Sequence, residues 1–577
     1  MNYQYGKKKF FLKDSRLLIL FLVFLIIALI IVARLFVLQI IRGAKYEDLA
    51  AGRHTKYENI DPVRGEIFVK ELGLDTLYPV ATNKELYLAY VEPLKIQNKG
   101  LIARVLAENL GLDELELKKS LFENVQYKAI AHYVSPEAMQ KIKSYDFTGV
   151  GFEKETKRIY PEKGFGGQLL GFVGKSGNTE GGKYGLEGYF DKDLAGKPGY
   201  LEGEKDALGS LIPWGKQKED KAINGSDLVL TIDRGVQFFV CNKIKEAIAR
   251  FEADFGSVIV MEPKTGKILA MCSAPDYDPN NYNKEKDQSI FKNPAIANRF
   301  EPGSIFKPIT MAAGVDAKLV NPESTYEDMG SVYIAPHTIQ NSDHKTNGVQ
   351  TMTQVLEKSL NTGAVFVARL LGPQKFREYV ESFGFADLTG IEIDGEATSD
   401  IGSLKKKGEI WPATASFGQG IAVTAIQMAN AFNAIANGGK LMKPYIVDRV
   451  IDENGVEKIT QPRPIRQVVS SRTAVLLRGM LVSVVENGHG KKAGVAGYYV
   501  GGKTGTAQVS KVGGGGYEEG KNVGSFAGFA PADNPVFTML VTMNDPKTVE
   551  WAESSAAPVF GEIAKFLLNY YKVPPER

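Results

Sequence analysis

Glu301-Pro302-Gly303-Ser304-Ile305-Phe306-Lys307 is the stretch on which the reading of this 577-residue chain turns. A Pro-Gly turn is followed by a serine and a lysine three residues apart, and Ile309, Met311, Ala312 and Ala313 continue as an apolar helix pattern. Residues three apart lie on one face of a helix, and a serine at the helix start stands among backbone N–H groups that lack intrahelical partners. Serine acyl chemistry with lysine as the base uses this spacing, S-x-x-K, followed later in the chain by S-x-N and K-[ST]-G.

Each motif alone is common. S-x-x-K also occurs at Ser289, Ser342 and Ser403, S-x-N at Ser176 and Ser359, and K-[ST]-G at Lys175, Lys264 and Lys503. Context separates them. Asn293-Pro294 interrupts any helix after Ser289, Ser342 sits in a polar run, and Ser403 leads into Lys405-Lys406-Lys407. Lys264 and Lys175 both precede the nucleophile, Lys264 in a turn and Lys175 in a glycine-rich region. The ordered set is Ser304 with Lys307, then Ser359-Leu360-Asn361, then Lys503-Thr504-Gly505-Thr506, with gaps of 55 and 144 residues.

Other chemistries find less support. The five histidines never form H-E-x-x-H, and there is no G-x-S-x-G elbow. Gly497 to Thr504 fits the phosphate-loop pattern G-x-x-x-x-G-K-[ST], but that loop must open a helix. Here Tyr498-Tyr499-Val500 and Thr506-Ala507-Gln508-Val509-Ser510 read as one strand, so the nucleotide reading is set aside. No metal site and no cofactor are expected.

Composition is that of a globular chain, 44% apolar and 24% charged, long enough for two to four domains. A net charge of +3 argues against nucleic-acid binding by bulk electrostatics. That charge is uneven. Residues 1–16 carry Lys7, Lys8, Lys9, Lys13 and Arg16 against Asp14, a net of +4, so the remainder sums to −1. Residues 17–33 contain no polar group and would span about 26 Å as a helix, which with a few more residues covers a bilayer core of about 30 Å. The run is long for a cleaved signal, and Arg34, Leu35 and Phe36 stand where small residues would be. The expectation is a cytoplasmic tail at 1–16, an uncleaved anchor at 17–41 and a large part outside the cell, by the positive-inside rule.

Residues 42–225 read as mixed and loop-rich, with one clear helix at Lys99–Leu110. From Asn224-Gly225 onward the pattern changes. A strand at 227–232 is followed by a helix over 235–251 capped by Asp233, and a hairpin joins 257–262 to 268–273. Helical patterns then run to about 440, strands return at 497–510 and 537–543, and a helix at 556–571 closes the chain. This predicts an α+β fold, an antiparallel sheet with helices packed on it. Cys241 on the helix and Cys272 on the adjacent strand are expected as separately buried thiols, and Trp411 as core or groove wall.

With these motifs in order, the chain resembles the class B penicillin-binding proteins, the monofunctional peptidoglycan transpeptidases. The likeness includes the anchor, Arg64-Gly65-Glu66-Ile67, the hairpin Val260-Met261-Glu262-Pro263-Lys264-Thr265-Gly266 and Ser416-Phe417-Gly418-Gln419-Gly420. No glycosyltransferase domain precedes the pedestal, as a bifunctional relative would need. The resemblance implies an elongated pedestal, of the dimerisation type, over 42–225 and a β-lactamase-like transpeptidase domain over 226–577. It implies that Ser304 attacks D-Ala-D-Ala of a stem peptide, releases the last D-Ala and passes the acyl group to a neighbouring strand's amine. Lys307 would be the neutral base, its pKa lowered by burial and by the Lys503 charge, and Ser359 a proton relay. Asn361 would bind the substrate backbone, and Lys503, Thr504 and Thr506 the terminal carboxylate. Gly505 would let substrate approach, and the backbone N–H groups of Ser304 and Thr506 would form the oxyanion hole.

The family also implies β-lactams as inhibitors, a location in the plasma (inner) membrane, and a polytopic glycosyltransferase of the shape-elongation-division-sporulation group as partner, met through anchor and pedestal. Thr504 in place of serine and the Glu301-Pro302-Gly303 lead-in tilt the reading to septal synthesis, with the elongation type as the alternative. A serine β-lactamase or D,D-carboxypeptidase using the same residues would need a water-activating base, which no motif assigns, and a non-catalytic sensor or scaffold keeping the motifs is a third class.

Overall fold

The computed structural model describes residues 15–43, 45–46, 55–176, 179–204, 217–511 and 516–577. The basic residues Lys7, Lys8, Lys9 and Lys13, Gly177 and Asn178 of the S-x-N match at Ser176, and residues 513–515 lie outside the described residues. The chain divides into two compact units. The smaller contains residues 1–62 and 197–223. Within it, strand Thr55–Ile60 pairs antiparallel with Gly199–Glu204, which pairs with Gln217–Asp220. Its helix Ser15–Phe36 continues to Ile41, so Arg16–Ile41 is long and apolar enough to cross a bilayer once. Large apolar side chains are exposed all around it, as suits a helix whose neighbours are lipid.

The larger unit, 63–196 with 224–577, is built on two sheets. Asp227–Asp233 runs parallel to Ile67–Glu71 and antiparallel to Val447–Ile451, so one seven-stranded sheet joins residues on both sides of position 225. Its long member, Leu74–Val91, was hidden in a region that reads as loop-rich. A buried ion network ties this sheet to the glycine turns beyond it. Glu187, fully buried, takes Arg158 Nε at 2.7 Å and Arg64 Nη2 at 2.6 Å, while Arg64 Nη1 reaches Asp191 at 2.8 Å. Arg64 thus has a structural role in this network. Removing one partner of such a pair strands a charge in the interior. Glu187→Ala is therefore expected to cost about 3–5 kcal/mol of stability, measured by urea unfolding in detergent.

The second sheet is antiparallel throughout, in the order Ile268–Ala274, Phe255–Met261, Phe537–Asn544, Tyr517–Ala530, Gly501–Ser510. Helices Arg234–Phe251 and Ala556–Tyr570 cover one face, where Val236, Val240 and Ile244 meet Phe560, Ile563 and Leu567. Asp233 caps the first of them, its carboxylate accepting from Val236 N at 3.0 Å. The other face packs on the helical insertion, whose central helix Ala425–Ala436 is buried along its whole length. The expected α+β architecture, hairpin, capped helix and closing helix are all present.

Strand Tyr517–Ala530 was not anticipated. It lies inside the sheet, its second half is buried on both faces, and Gly520, Gly524 and Gly528 interrupt any alternation. The expectation of two separate thiols is overturned. Cys241 and Cys272 form a disulfide with Cα atoms 5.3 Å apart, because the helix lies directly on the strand and both side chains enter the same layer.

Candidate active site

Ser304 lies in a 3₁₀ turn, Gly303–Phe306, that runs into the α-helix Lys307–Asp316. The helical segment therefore starts where the spacing predicts, but with a tighter first turn. Gly303 has φ +55°, a conformation open to glycine at little cost. Two segments clamp this turn. On one side Gly303 N donates to Gly418 O at 3.1 Å, and a Cβ on Gly418 would stand 2.3 Å from Gly303 O. Glu301 adds a second tie on that side, accepting from Gly420 N at 3.1 Å, while its other oxygen takes Tyr517 OH at 3.1 Å. Thr310 Oγ1 donates to Ser416 O at 2.7 Å. The Ser416-to-Gly420 motif thus has a physical role, holding the turn that carries Ser304.

On the other side lies the strand Gly501–Ser510. A Cβ on Gly505 would meet Ser525 Oγ at 2.7 Å, Pro302 O at 2.9 Å and Ile305 Cγ2 at 3.0 Å. The need for glycine at 505 therefore comes from the serine's own turn packed against the strand. This packing constraint stands beside the substrate approach that the resemblance implies.

Lys307 is 1% exposed, and its Nζ donates to Ser359 O and to Ser359 Oγ, the latter at 3.2 Å. Burial, with the Lys503 charge second, holds its pKa well below the ordinary lysine value. Ser359 has φ +55°, uncommon for a residue with a side chain, where the chain leaves the helix Met352–Glu357. Two residues on, Asn361 opens the helix Asn361–Leu371, and its Nδ2 donates to Gln340 O at 2.8 Å. The first two motifs are thus joined by direct hydrogen bonds.

Lys503 is fully buried. Its Nζ donates to Thr504 O at 3.1 Å and Thr504 Oγ1 at 3.3 Å. Burial pulls its pKa down to about 7, against the opposing pull of Glu553. Lys503 is therefore only about half charged at neutral pH. Thr506 Oγ1 accepts from Ala552 N at 3.1 Å, and Glu553 beside it takes His489 Nδ1 at 2.9 Å. Sequence reasoning missed this flank because neither Glu553 nor His489 belongs to a motif. The strand stands at the edge of its sheet, paired on one side with Tyr517–Ala530. It is a strand, and no helix follows Lys503-Thr504, which removes the phosphate-loop reading.

The decoys fall elsewhere. Ser289 donates its hydroxyl to Asp287, Ser403 lies in a short 3₁₀ turn, and Lys264 sits in the hairpin connection. Trp411 is half-buried with Lys406 Nζ 4.3 Å from its ring centre.

A family model of the penicillin-binding protein transpeptidase domain matches residues 256–565, and one of the penicillin-binding protein dimerisation domain matches residues 59–230. The chain is 35% identical over 571 residues to stage V sporulation protein D of Bacillus subtilis (strain 168), covering 98% of this chain and 87% of that protein. It is 30% identical over 598 residues to a peptidoglycan D,D-transpeptidase FtsI homolog of Mesostigma viride, covering 99% and 98%. Penicillin-binding protein 3 of Mycobacterium tuberculosis, in its crystal structure complexed with aztreonam, shares the fold at TM-score 0.70. That pair is 26% identical, with 90% of this chain and 98% of that chain covered. Both domain matches in their order, relatives aligned almost end to end and a common fold lead to one conclusion: the chain belongs to the class B penicillin-binding proteins.

Proposed function

We propose that this peptidoglycan D,D-transpeptidase works through Ser304 as nucleophile and Lys307 as base. The observation that carries the reading is Lys307 itself, buried, with its pKa pulled well below the ordinary lysine value, and hydrogen-bonded to Ser359. As a neutral amine it takes the Ser304 proton while Oγ attacks the penultimate D-Ala carbonyl. The tetrahedral oxyanion is met by the backbone N–H groups of Ser304 and Thr506, donors of a kind worth about 3–4 kcal/mol. Ser359 relays the proton to the departing D-Ala. The stem peptide lies along the free edge of Gly501–Ser510 as an added strand, with Asn361 on its backbone. Its terminal carboxylate, arriving beside Lys503, favours the charged amine and restores the cation that burial had half discharged.

Crosslinking follows when a second strand's amine, rather than water, takes the acyl group. The test is incubation with lipid-linked strands and a polymerase, where crosslinked dimer is the expected product. Hydrolysed stem peptide alone would make the protein a carboxypeptidase or lactamase instead.

The pH profile follows from the two lysines. Lys307 is held well below its usual value, and Lys503 is charged below about pH 7 and neutral above it. Second-order acylation by benzylpenicillin, which carries a carboxylate, should therefore fall as pH rises through about 7. Glu553 opposes that discharge, so Glu553→Gln should move the falling limb to lower pH, by about half a unit for a charge acting through partly exposed surroundings. A limb that stays in place would separate Glu553 from Lys503.

Residues 1–16 face the cytoplasm and the catalytic domain lies outside the plasma membrane. The basic tail supports this orientation, as does a disulfide of the kind that persists in oxidising compartments. Within that setting the enzyme works with a shape-elongation-division-sporulation glycosyltransferase through anchor and pedestal, as a septal enzyme. Co-purification tests the partner, and a fluorescent fusion found along the sidewall would reassign it to elongation.

A further inference from the structure

Beyond the reacting groups lies a buried carboxylate outside all three motifs. Asp328 is fully buried at the end of strand Thr325–Asp328, with no lysine, arginine or histidine among its bonded partners. Its Oδ1 accepts from Gly330 N at 3.0 Å, Asn341 Nδ2 at 3.0 Å and Thr362 Oγ1 at 2.7 Å. Its Oδ2 accepts from Asn347 N at 3.1 Å, Asn347 Nδ2 at 2.8 Å and again from Asn341 Nδ2 at 3.0 Å. Burying a carboxylate without a cation is costly, and only such a full set of donors makes it tolerable.

What the donors belong to is informative. Gly330 and Asn341 are the two feet of the hairpin formed by Ser331–Ile334 and His337–Gln340, and Asn341 N also donates to Gly330 O at 3.1 Å. Thr362 is the neighbour of Asn361, and its N–H donates to Asn341 Oδ1 at 3.2 Å. Tyr326 OH, 3.1 Å from Thr362 Oγ1, closes the cluster. The last residue of that hairpin's second strand, Gln340, supplies the carbonyl that receives the Asn361 amide. Asp328 therefore grips both the helix start that carries Asn361 and the hairpin that orients its side chain. One N–H of Asn361 is committed to Gln340, which fixes the direction of the amide.

We propose that Asp328 is a positioning residue for the acylation reaction, setting the Asn361 side chain through Thr362, Asn341 and the hairpin. The inference rests on the reading of Asn361 as the group that binds the substrate's amide backbone. Benzylpenicillin carries a matching acylamide at C6, whereas 6-aminopenicillanic acid has a bare amine there, so the pair reports on Asn361 separately from Ser304 and Lys307. Misplacing a positioning contact by about 1 Å costs on the order of 100-fold.

The experiment compares second-order acylation of the full chain by both compounds in wild type, Asp328→Asn, Asn361→Ala and the double variant, with thermal melts. Asp328→Asn is expected to slow benzylpenicillin about 30- to 100-fold and 6-aminopenicillanic acid less than about threefold. In the Asn361→Ala background it should add almost nothing, because its effect passes through that residue. Equal losses for both compounds, or a full additional loss in the double variant, would mean that Asp328 supports the fold generally and would overturn the inference. Asn341→Ala keeps the carboxylate and cuts the link to Thr362 N–H. It carries the same expectation if Asp328→Asn does not fold, and unchanged benzylpenicillin acylation there is equally fatal. If Asn361→Ala acylates normally, the reading of Asn361 itself fails, an outcome distinct from a silent Asp328→Asn beside an impaired Asn361→Ala.

Discussion

Ser304→Ala should lose the covalent penicillin adduct, with acylation slowed by about 10,000-fold or more, the loss expected when a serine nucleophile is removed. Intact-protein mass spectrometry should show one penicilloyl group on the wild type and on Ser289→Ala, and none on Ser304→Ala. The physical ground is the clamp on its turn. Gly303 and Gly505 let the strand and the 416–420 segment close on the backbone around Ser304, and Lys307 lies one helical step away. Ser289 has no such surroundings, since its hydroxyl donates to the exposed carboxylate of Asp287 at 2.6 Å. An adduct that survives Ser304→Ala would place the nucleophile elsewhere.

Lys307→Arg should be nearly as damaging, by about 100- to 10,000-fold, the range that positioned general bases contribute. Arginine is never deprotonated in proteins, so the variant fills the position with a group unable to accept a proton. Burial of a permanent cation beside Lys503 adds repulsion, so melts must accompany the kinetics. Lys503→Arg is the informative contrast. It keeps a charge for the substrate carboxylate, and what acylation it retains should no longer fall as pH rises through 7, because the group that discharged there is gone. A Lys307→Arg enzyme that acylates as well as Lys503→Arg would end the division of roles between the two lysines.

How much of this was legible in the sequence depended on whether the feature is local. The helix after Asp233, the hairpin around Lys264, the closing helix and the apolar anchor each follow from a periodic pattern with a cap or turn at its end, all within about twenty residues. Strand Tyr517–Ala530 escaped because a strand buried on both faces and broken by glycines shows no alternation. The seven-stranded sheet escaped because its strands lie far apart in the chain, Ile67–Glu71 and Val447–Ile451 both flanking Asp227–Asp233. The site shows the same divide. Ser304 and Lys307 were readable because one helical turn brings them together, whereas Asp328 and Glu553 carry no motif and gain meaning only from what folds against them.

By itself, then, the sequence determined the chemistry on offer: a serine and a lysine on one helix face, S-x-N and K-T-G in fixed order, and an apolar segment ahead of them. Only the tertiary structure decided how those groups behave. It closed the distance between Lys307 and Ser359 across 52 residues, and it turned Ser359 into a left-handed conformation that brings its hydroxyl within 3.2 Å of that lysine. It also buried Lys503 until its pKa fell to about 7, and paired two cysteines that separate burial would have left as thiols. The reason is physical. A residue's charge state and reach are set by desolvation and by neighbours brought from far along the chain, and neither quantity is encoded in its own local pattern.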